Sequence, residues 1–492
     1  MLKLEVQDLP PPLLEFGTDG QFTDPKVGLE RAGPFSLRFG SAHKSQIRIG
    51  MVGTSEQIEQ AEAWFSRCHT YLMSGQVNHA MYPDFPGFHD IFRGTLELDA
   101  RWNVTLDSTD VNASLKLPPQ QRFPAILDLY SRALERLANG DVRPDVTVCC
   151  LPGDVVQASG TVDRVLTAQE RRDIHRSSSV PSVQMSLFPD WEPTETEETL
   201  LHRDFRRALK ARAMGYRMPI QLATARLFLD REASQDPATR AWNVCLALFF
   251  KAGGIPWRLR TIGPETCFVG ISFHHLQTTH RHLVYSSIAQ GFPTDGEGFA
   301  LRGDALPWNP NQGRQVHLSD SQAFKLAGEI LREYRDRTGG VPPRVVLHKT
   351  SAFDTPERSG FSEALSQVPL VEFVNLQSTS FRLIRDGLYP PARGMFCRVN
   401  EDTVFLYTTG YIPEWGTYPG PHIPAPIQLV CGQDSDILQV ASDVLGLSRM
   451  NWNTARDTSG IPITIRFARE VGGIMAEVGA NTRPNPSYRY YM

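Results

Sequence analysis

The pattern of hydrophobic and polar positions in the first third of the chain predicts alternating strands and helices. Residues alternate well enough in Ser45–Val52, SQIRIGMV, to predict a strand, and Glu56–Arg67 then reads as a helix. Apolar residues recur at helical spacing in Phe123–Ala138, and the middle of Asp145–Leu151, DVTVCCL, is wholly apolar, as in buried strands. This order predicts an α/β fold with a Rossmann-like layer.

The stretch Leu201–Gln221, LHRDFRRALKARAMGYRMPIQ, predicts an amphipathic helix that runs into a strand. Its apolar stripe consists of Phe205, Leu209 and Ala213. Arg206 and Lys210 lie one turn apart on another face, Gln221 follows in the strand, and Lys251 ends the next predicted helix. Phosphate binding needs several donors and converging positive charge, so these four side chains form a candidate phosphate pocket. The alternative is a solvated basic helix face.

The second half of the chain predicts an RNase H arrangement. A strong strand, Cys267–Phe273, is followed by a partner strand, His282–Ile288, and a long helix, Ser319–Thr338, leads to the buried strand Arg344–His348. Further strands are predicted at Leu370–Asn375, Phe381–Arg385, Met395–Val399 and Thr403–Thr408. A meander, a crossover helix and another strand–helix alternation are typical of that fold.

Enzymes with an RNase H fold hold two magnesium ions on acidic residues at strand ends. In this chain Ser272 stands where the first strand would need an aspartate, and Thr350 stands where another should follow His348-Lys349. Hydroxyl side chains cannot supply the negative charge that hard cations demand, so we expect a nuclease-like scaffold that does not cut. The nearby acids are more simply interpreted as loop, cap or surface residues; they are Glu297, Asp354 and Glu357.

Composition limits the possible partners and compartments. The net charge of −4 over 492 residues excludes a generally basic nucleic-acid binder, so a polyanion site must be local. No apolar run is long enough to span a bilayer, and no signal peptide begins the chain. The seven cysteines are scattered without metal-site or disulfide spacing. We therefore expect a cytoplasmic protein without a membrane partner.

Two domains follow a short leading segment in the predicted organisation. Residues 1–35 are rich in Pro and Gly and are predicted to be largely irregular, with a short strand around Leu13–Phe16. The first domain covers residues 36–258 and carries a loop insertion at about 165–198, where the composition becomes charged and polar. The second domain covers residues 259–492.

An ordered set of motifs resembles one known family. The motifs are LKARAM, PIQL, LALFFKAGGIPW, FVGISF, GEGFALRG, RVVLHKTS and MNWNTA, with ITIRFAREVG near the C-terminus. Together they resemble the short prokaryotic Argonautes over about residues 10 to 492. The resemblance implies a Rossmann-like MID domain followed by an RNase H-like PIWI domain. It leaves no room for the N-terminal and PAZ domains of long Argonautes.

The resemblance assigns roles to the candidate pocket. Lys210, Gln221 and Lys251 match the family's residues that grip the 5′-phosphate of a guide strand, and Arg206 replaces a position that is often Tyr or His. It also implies a Mg²⁺ ion that bridges the guide phosphates and is held by Gln221 and the C-terminal carboxylate of Met492. The catalytic acids of the family are not carried over, because Ser272 and Thr350 replace two of them.

The resemblance further implies a sensor in antiviral defence by abortive infection. Such Argonautes load a guide, most often RNA, pair it with complementary single-stranded DNA and switch on a separate effector chain. That heterodimer partner bears an APAZ region with a sirtuin-like domain, which we favour, or a TIR or nuclease domain. The sirtuin-like and TIR types cause NAD depletion. Base pairing then supplies the sequence specificity while the protein holds nucleic-acid backbones.

Two other function classes stay open at this point. The first is an active guide-directed nuclease with non-standard acids such as Glu297 or Asp354. The second is a nucleotide-binding α/β enzyme that uses the GMVGTS turn at residues 50–55. That turn lacks the Gly-Lys-Ser/Thr ending of a P-loop and a full GxGxxG, so we interpret it as a strand-to-helix turn with a capping Thr or Ser.

Overall fold

The computed structural model describes most of the chain. The described residues are 4–163, 202–260, 263–277, 282–291, 298–307, 316–384, 390–401, 403–420, 422–432, 435–455, 460–478 and 484–492. The predicted insertion at about 165–198 lies outside them, as does Glu297.

The strands of these residues are named in chain order. They are β1 (Glu5–Asp8), β2 (Leu14–Glu15), β3 (Gln21–Phe22), β4 (Gln46–Gly53), β5 (Thr95–Thr105), β6 (Val146–Leu151), β7 (Thr161–Asp163), β8 (His202–Asp204), β9 (Ile220–Thr224), β10 (Arg258–Leu259), β11 (Thr266–Gln277), β12 (His282–Gly291), β13 (Ala300–Pro307), β14 (Arg344–Lys349), β15 (Leu370–Ser378), β16 (Met395–Arg398), β17 (Thr403–Leu406) and β18 (Ile427–Val430).

The helices are named in the same way. They are α1 (Pro25–Ala32), α2 (Ser55–Arg67), α3 (Phe88–Phe92), α4 (Ser108–Leu115), α5 (Pro119–Ala138), α6 (Gly153–Ser159), α7 (Phe205–Gly215), α8 (Ala225–Phe228), α9 (Pro237–Lys251), α10 (Asp320–Thr338), α11 (Thr355–Ala364), α12 (Ile437–Leu447) and α13 (Ile463–Met475). Short 3₁₀ turns lie at Phe35–Ala42, Pro413–Trp415 and Tyr488–Tyr490.

The first half of the chain contains a Rossmann-like layer, as predicted. Its four-stranded sheet has the order β5-β4-β6-β9, and each neighbouring pair is parallel. Strand β9 pairs with β6 although residues 164–201 intervene, so the strand after the predicted insertion completes the same sheet. The antiparallel strands β7 and β8 flank the insertion on its two sides.

The second half contains a nine-stranded mixed sheet with the order β1-β16-β17-β18-β15-β14-β11-β12-β13. Strands β11, β12 and β13 form an antiparallel meander, and β11, β14 and β15 are parallel neighbours. This is the predicted RNase H-like arrangement. Helix α13 packs so closely on β11 that a Cβ atom on Gly270 would clash with the Thr464 carbonyl oxygen.

The first 35 residues are more regular than predicted. They hold helix α1 and three strands, of which β1 pairs with β16 at one edge of the nine-stranded sheet. Strands β2 and β3 form a small sheet with β10, which follows the Rossmann-like layer. Prolines and glycines interrupt the local pattern of these short strands, and their partners β16 and β10 lie hundreds of positions away.

One predicted strand is wrong and another was missed. Phe381–Ile384 is not a strand, and the Leu383 amide donates to the Tyr407 hydroxyl at 2.9 Å instead of to a neighbouring backbone. Strand β18, with the sequence IQLV, was not predicted because it directly follows Pro424 and Pro426 and carries only four residues. It pairs with both β15 and β17.

The sequence predicts neither a disulfide framework nor a membrane-spanning segment. All seven cysteines are free and buried, which confirms the absence of a disulfide framework. No helix of the described residues combines the length and the apolar character that a membrane span requires.

Candidate functional site

The candidate phosphate pocket is built on α7, β9 and α9. Helix α7 begins after Asp204, whose carboxylate caps the helix by accepting from the Arg207 amide at 3.0 Å. The predicted apolar stripe is confirmed, because Phe205, Leu209 and Ala213 are all buried. Lys210 lies outside this stripe, close enough to Lys251 at the end of α9 for its charge to lower the pKa of that lysine.

The structure brings three of the four predicted pocket residues together. The Lys251 ammonium donates to Oε1 of Gln221 at 2.6 Å, and the Gln221 amide nitrogen donates to the Leu222 carbonyl at 3.0 Å. The Lys210 ammonium donates to the main-chain carbonyl of Tyr491 at 3.2 Å. Lys251 is only 2% exposed and has no ion pair with a carboxylate among the described residues.

The electrostatics of the pocket favour an incoming anion. Burial lowers the pKa of Lys251 well below its ordinary value, and the positive charge of Lys210 lowers it further. Burial lowers the pKa of Lys210 to about 8, with Glu470 opposing and Arg206 adding to the shift. Within the part of the chain that the structure describes, Lys251 has no carboxylate partner of this kind, so an anion bound beside it would stabilise its charged form and add to the effect of Glu470 on Lys210.

The remaining basic residues of the stretch are divided among other contacts. Arg206, the fourth predicted pocket residue, is exposed one turn before Lys210, so it lies at the rim rather than inside. Arg203 precedes the helix and bonds to the buried Glu477 at 2.8 Å and 3.0 Å. Arg207 packs on α13, where a Cβ atom at Gly473 would be 2.8 Å from its guanidinium carbon.

Residues 484–492, here called the strap, were missed as part of the pocket except for Met492. Tyr491 is fully buried and Met492 is 2% exposed, so the end of the strap is docked rather than frayed. The Tyr491 hydroxyl donates to the Asn485 carbonyl at 2.7 Å. A dense run of tyrosines at Tyr488–Tyr491 was the available signal, because aromatic side chains stabilise docked segments by the area they bury.

The pocket residues do not by themselves fit a magnesium ion. Hard divalent cations need oxygen ligands, and the Gln221 oxygen is bonded to the Lys251 ammonium. Two nearby ammonium groups also repel a cation. The ion assigned to Gln221 and Met492 therefore stays a prediction, and the chemistry of the pocket rests on the lysines.

In the interior of the large sheet, Ser272 and Thr350 lie level on neighbouring strands. Strands β11 and β14 are parallel neighbours in which Ile271 is paired with Lys349, so Ser272 within β11 lies level with Thr350, which directly follows the end of β14. Thr350 is exposed and Ser272 is half-buried. This is the position at which the RNase H fold presents metal-binding acids.

Glu357 does cap α11, because its carboxylate accepts from the Asp354 amide at 3.3 Å, but it is not a surface residue. Glu357 is fully buried, and both its carboxylate oxygens accept from the Lys349 ammonium at 2.5 Å. Asp354 does cap α11, as it accepts from the Glu357 amide at 2.9 Å. The burial of Glu357 against Lys349 was not predicted, because Lys349 was predicted to lie beyond the strand.

Asp354 and Glu357 also belong to a possible cation site with His317. Among the described residues this is the one group of ligand atoms close enough to hold a metal, all within 4.8 Å of one another. The Lys349 ammonium already neutralises the Glu357 carboxylate, and Leu318 donates its amide to the same side chain at 2.7 Å. The Glu357 carboxylate of this group is therefore already neutralised and hydrogen-bonded by protein groups.

The GMVGTS turn behaves as a capped helix start. Strand β4 ends at Gly53 and α2 begins at Ser55, with Thr54 between them. Gln57 reaches back so that its Oε1 accepts from the Thr54 amide at 3.2 Å. This confirms the capping interpretation of the turn.

A parallel Rossmann-like sheet followed by an RNase H-like sheet defines the architecture of the MID and PIWI domains of Argonautes. Comparison with solved structures agrees. The chain is similar to Clostridium butyricum Argonaute bound to a guide DNA and a 19-mer target DNA, at 12% identity and a TM-score of 0.64, over 98% of this chain and 54% of that one.

Two further solved structures share the fold. Drosophila Piwi matches at 10% identity and a TM-score of 0.58, over 99% of this chain and 56% of that one. Aquifex aeolicus Argonaute matches at 13% identity and a TM-score of 0.54, over 100% and 57%. The chain thus has the Argonaute fold and spans about half of these proteins. No protein-family model and no curated protein sequence matches it.

Proposed function

We propose that this chain binds the 5′-phosphate of a guide strand in the pocket of Lys210, Gln221 and Lys251. The observation that carries the proposal is the buried Lys251, whose ammonium bonds a neutral amide oxygen and no carboxylate of the described residues. A terminal phosphate supplies the missing negative charge and several acceptor oxygens. Arg206 at the rim adds long-range attraction.

The shared fold supports a nucleic-acid ligand for this pocket. A neighbour with that fold, Clostridium butyricum Argonaute, is bound to a guide DNA and a target DNA. We propose that the guide of this chain is RNA, that it pairs with complementary single-stranded DNA, and that a Mg²⁺ ion accompanies the guide phosphates, which would supply oxygen ligands that the pocket residues lack. Because phosphate contacts release counterions, binding should weaken as salt increases.

We further propose that the PIWI domain does not cut and that the output comes from a partner. Ser272 within β11 and Thr350 at the end of β14 support this, because neither can hold magnesium as an aspartate does. The partner would be an APAZ-containing effector, sirtuin-like by preference or else TIR or nuclease, acting in a cytoplasmic antiviral system. NAD depletion on target binding is then the output to measure.

The first test is on the nucleic acid that copurifies with the chain. Bound nucleic acid is extracted and its 5′ ends are labelled with and without prior phosphatase treatment. We expect short 5′-phosphorylated RNAs in the wild type and their loss in the Lys210→Ala, Lys251→Ala double variant. Retention of the same RNAs by that variant would remove the support for the pocket.

The active-nuclease alternative needs its own control. Asp354 caps α11, so its carboxylate is already engaged. Metal-dependent cleavage of a guide-matched target that is lost on Asp354→Ala or Glu297→Ala would favour this alternative. Tight binding of a mononucleotide without any copurifying polynucleotide would favour the nucleotide-binding enzyme.

A further inference from the structure

The strap contacts the pocket on one of its sides. Its Tyr491 carbonyl accepts from the Lys210 ammonium, and the Tyr488 ring lies 5.4 Å from the Phe250 ring of α9. Phe250 immediately precedes Lys251 at the end of α9. The strap is thus fixed to both helices that supply the pocket lysines.

On its other side the strap contacts the large sheet. The Ala300 amide, at the start of β13, donates to the Pro486 carbonyl at 2.8 Å, and the Tyr488 amide donates to the Gly298 carbonyl at 3.3 Å. These bonds flank an antiparallel bridge between Phe299 and Ser487. Strand β13 is the outermost strand of the sheet beside β12, so the strap pairs with the segment that begins this edge.

The ring of Tyr488 ties the strap to the sheet's covering helix as well. It lies 4.0 Å from the ring of Phe467 on α13, in an edge-to-face arrangement. Tyr488 is also 3% exposed, so few other positions are open to it. A displacement of the strap at the pocket would therefore change its pairing with the start of β13.

Lys210 can serve the strap and a phosphate together. An ammonium group has three donors, and the described strap contact uses one of them. A phosphate that accepts another donor holds the long lysine side chain in place. The lysine side chain has then already lost the conformational entropy that bonding Tyr491 would cost. Each of the two contacts therefore stabilises the other.

We infer that the strap couples the phosphate pocket to the outer edge of the large sheet, so that a terminal phosphate bound at Lys210 stabilises the pairing of residues 298–300 with residues 486–488. The inference rests on the phosphate-binding function proposed above. Coupling between sites is reciprocal, so a firmly paired strap also raises the affinity for the phosphate. The end of the guide is thereby sensed at the RNase H-like sheet.

The test is hydrogen–deuterium exchange of the full chain with two oligonucleotides of one sequence, one carrying a 5′-phosphate and one a 5′-hydroxyl, each at saturation. We expect the amides of Ala300 and Tyr488 to exchange at least about fivefold more slowly with the phosphorylated one. The amides of β1, at the opposite edge of the sheet, serve as the internal control and should not differ.

Two matched variants separate coupling from binding. At saturating phosphorylated oligonucleotide, Lys251→Met should keep the protection, because Lys251 bonds Gln221 and not the strap. Lys210→Met should lose it, because it removes the donor to Tyr491. Equal protection in both variants, or equal loss, overturns the coupling.

Affinity measured in parallel distinguishes this inference from the function beneath it. The phosphorylated oligonucleotide could bind more tightly while the amides of Ala300 and Tyr488 exchange at the same rate with either oligonucleotide bound. In that case the coupling is wrong and the phosphate pocket is still supported. If the two oligonucleotides bind with equal affinity, the phosphate pocket itself is wrong and the coupling falls with it.

Discussion

Lys251 in the pocket and Lys349 at the end of β14 are both buried lysines, with exposures of 2% and 1%, but they differ in their partners. Lys349 bonds both oxygens of the buried carboxylate of Glu357, whereas Lys251 bonds the neutral amide oxygen of Gln221. A buried charge with its own counter-ion is compensated within the fold, and removing one partner is destabilising. A buried charge without one indicates where an anion from outside is bound.

The largest effect should come from removing the internally paired lysine. Lys349→Met leaves the Glu357 carboxylate buried without its cation, and we expect a loss of roughly 3–5 kcal/mol in the free energy of unfolding. Scanning calorimetry of the unliganded chain measures it. Lys251→Met is the matched control and should change stability by no more than about 1 kcal/mol in either direction, since no buried carboxylate is left behind. Equal losses in the two variants would break the comparison.

The second prediction concerns phosphate binding, which should depend on Lys251 and not on Lys349. Lys251→Met should weaken binding of a 5′-phosphorylated oligonucleotide by roughly 10- to 150-fold, the range expected when a charged hydrogen bond of about 1.5–3 kcal/mol is lost. Fluorescence anisotropy against the 5′-hydroxyl oligonucleotide isolates the phosphate contribution. Lys349→Met, measured below its unfolding temperature, should leave the ratio of the two affinities unchanged. A comparable decrease of this ratio in Lys349→Met would show that the phosphate contribution does not come from the pocket.

The third prediction concerns pH. The pKa of Lys210 lies at about 8, so its charged form prevails below that pH and is lost above it. An anion binds the charged form, and the terminal phosphate is already fully ionised above about pH 7. Affinity for the 5′-phosphate should therefore fall as pH rises from 7 to 9, by up to about tenfold for one proton. The 5′-hydroxyl oligonucleotide provides the baseline, and an affinity that rises with pH contradicts the assignment.

The smallest expected effect tests the position of Ser272 and Thr350 in the large sheet. The double variant Ser272→Asp, Thr350→Asp places two carboxylates level with each other, one within β11 and one at the end of β14. We expect Mg²⁺ to raise the stability of this variant by up to about 1.5 kcal/mol at a tenfold excess over Kd, while the wild type does not respond. Thermal unfolding with and without the ion reports it. A wild type that responds equally would mean that other ligands hold a cation there.

Much of the architecture was predictable because it depends on the local spacing of apolar residues. The apolar stripe of Phe205 and Leu209 and the buried strand β14 follow from spacing alone. Short elements such as β1 and β18 were not predictable, since four-residue strands are stabilised by partners far along the chain. The predicted strand at Phe381–Arg385 has the right composition, yet Leu383 bonds a side chain instead of a neighbouring strand.

The candidate site divides in the same way. The pocket residues Lys210, Gln221 and Lys251 were identified by residue type and motif order, and the structure bonds Lys251 to Gln221 and brings Lys210 near enough for its charge to lower the pKa of Lys251. Arg206 was included for its charge but lies exposed at the rim. The contact between Lys210 and Tyr491 spans 281 positions and uses a main-chain carbonyl, so no side-chain pattern encodes it.

The sequence by itself determined the α/β class, the two sheets in their order, the donors available for a phosphate and the lack of acids at Ser272 and Thr350. These depend on residue type and on spacing within one element. The tertiary structure alone decided that Glu357 is buried against Lys349, that Lys251 has no such partner among the described residues and that the strap closes on the pocket. The physical reason is that the charge state and the pairing of a buried group depend on which distant residues fold against it, and that is a property of the packed chain.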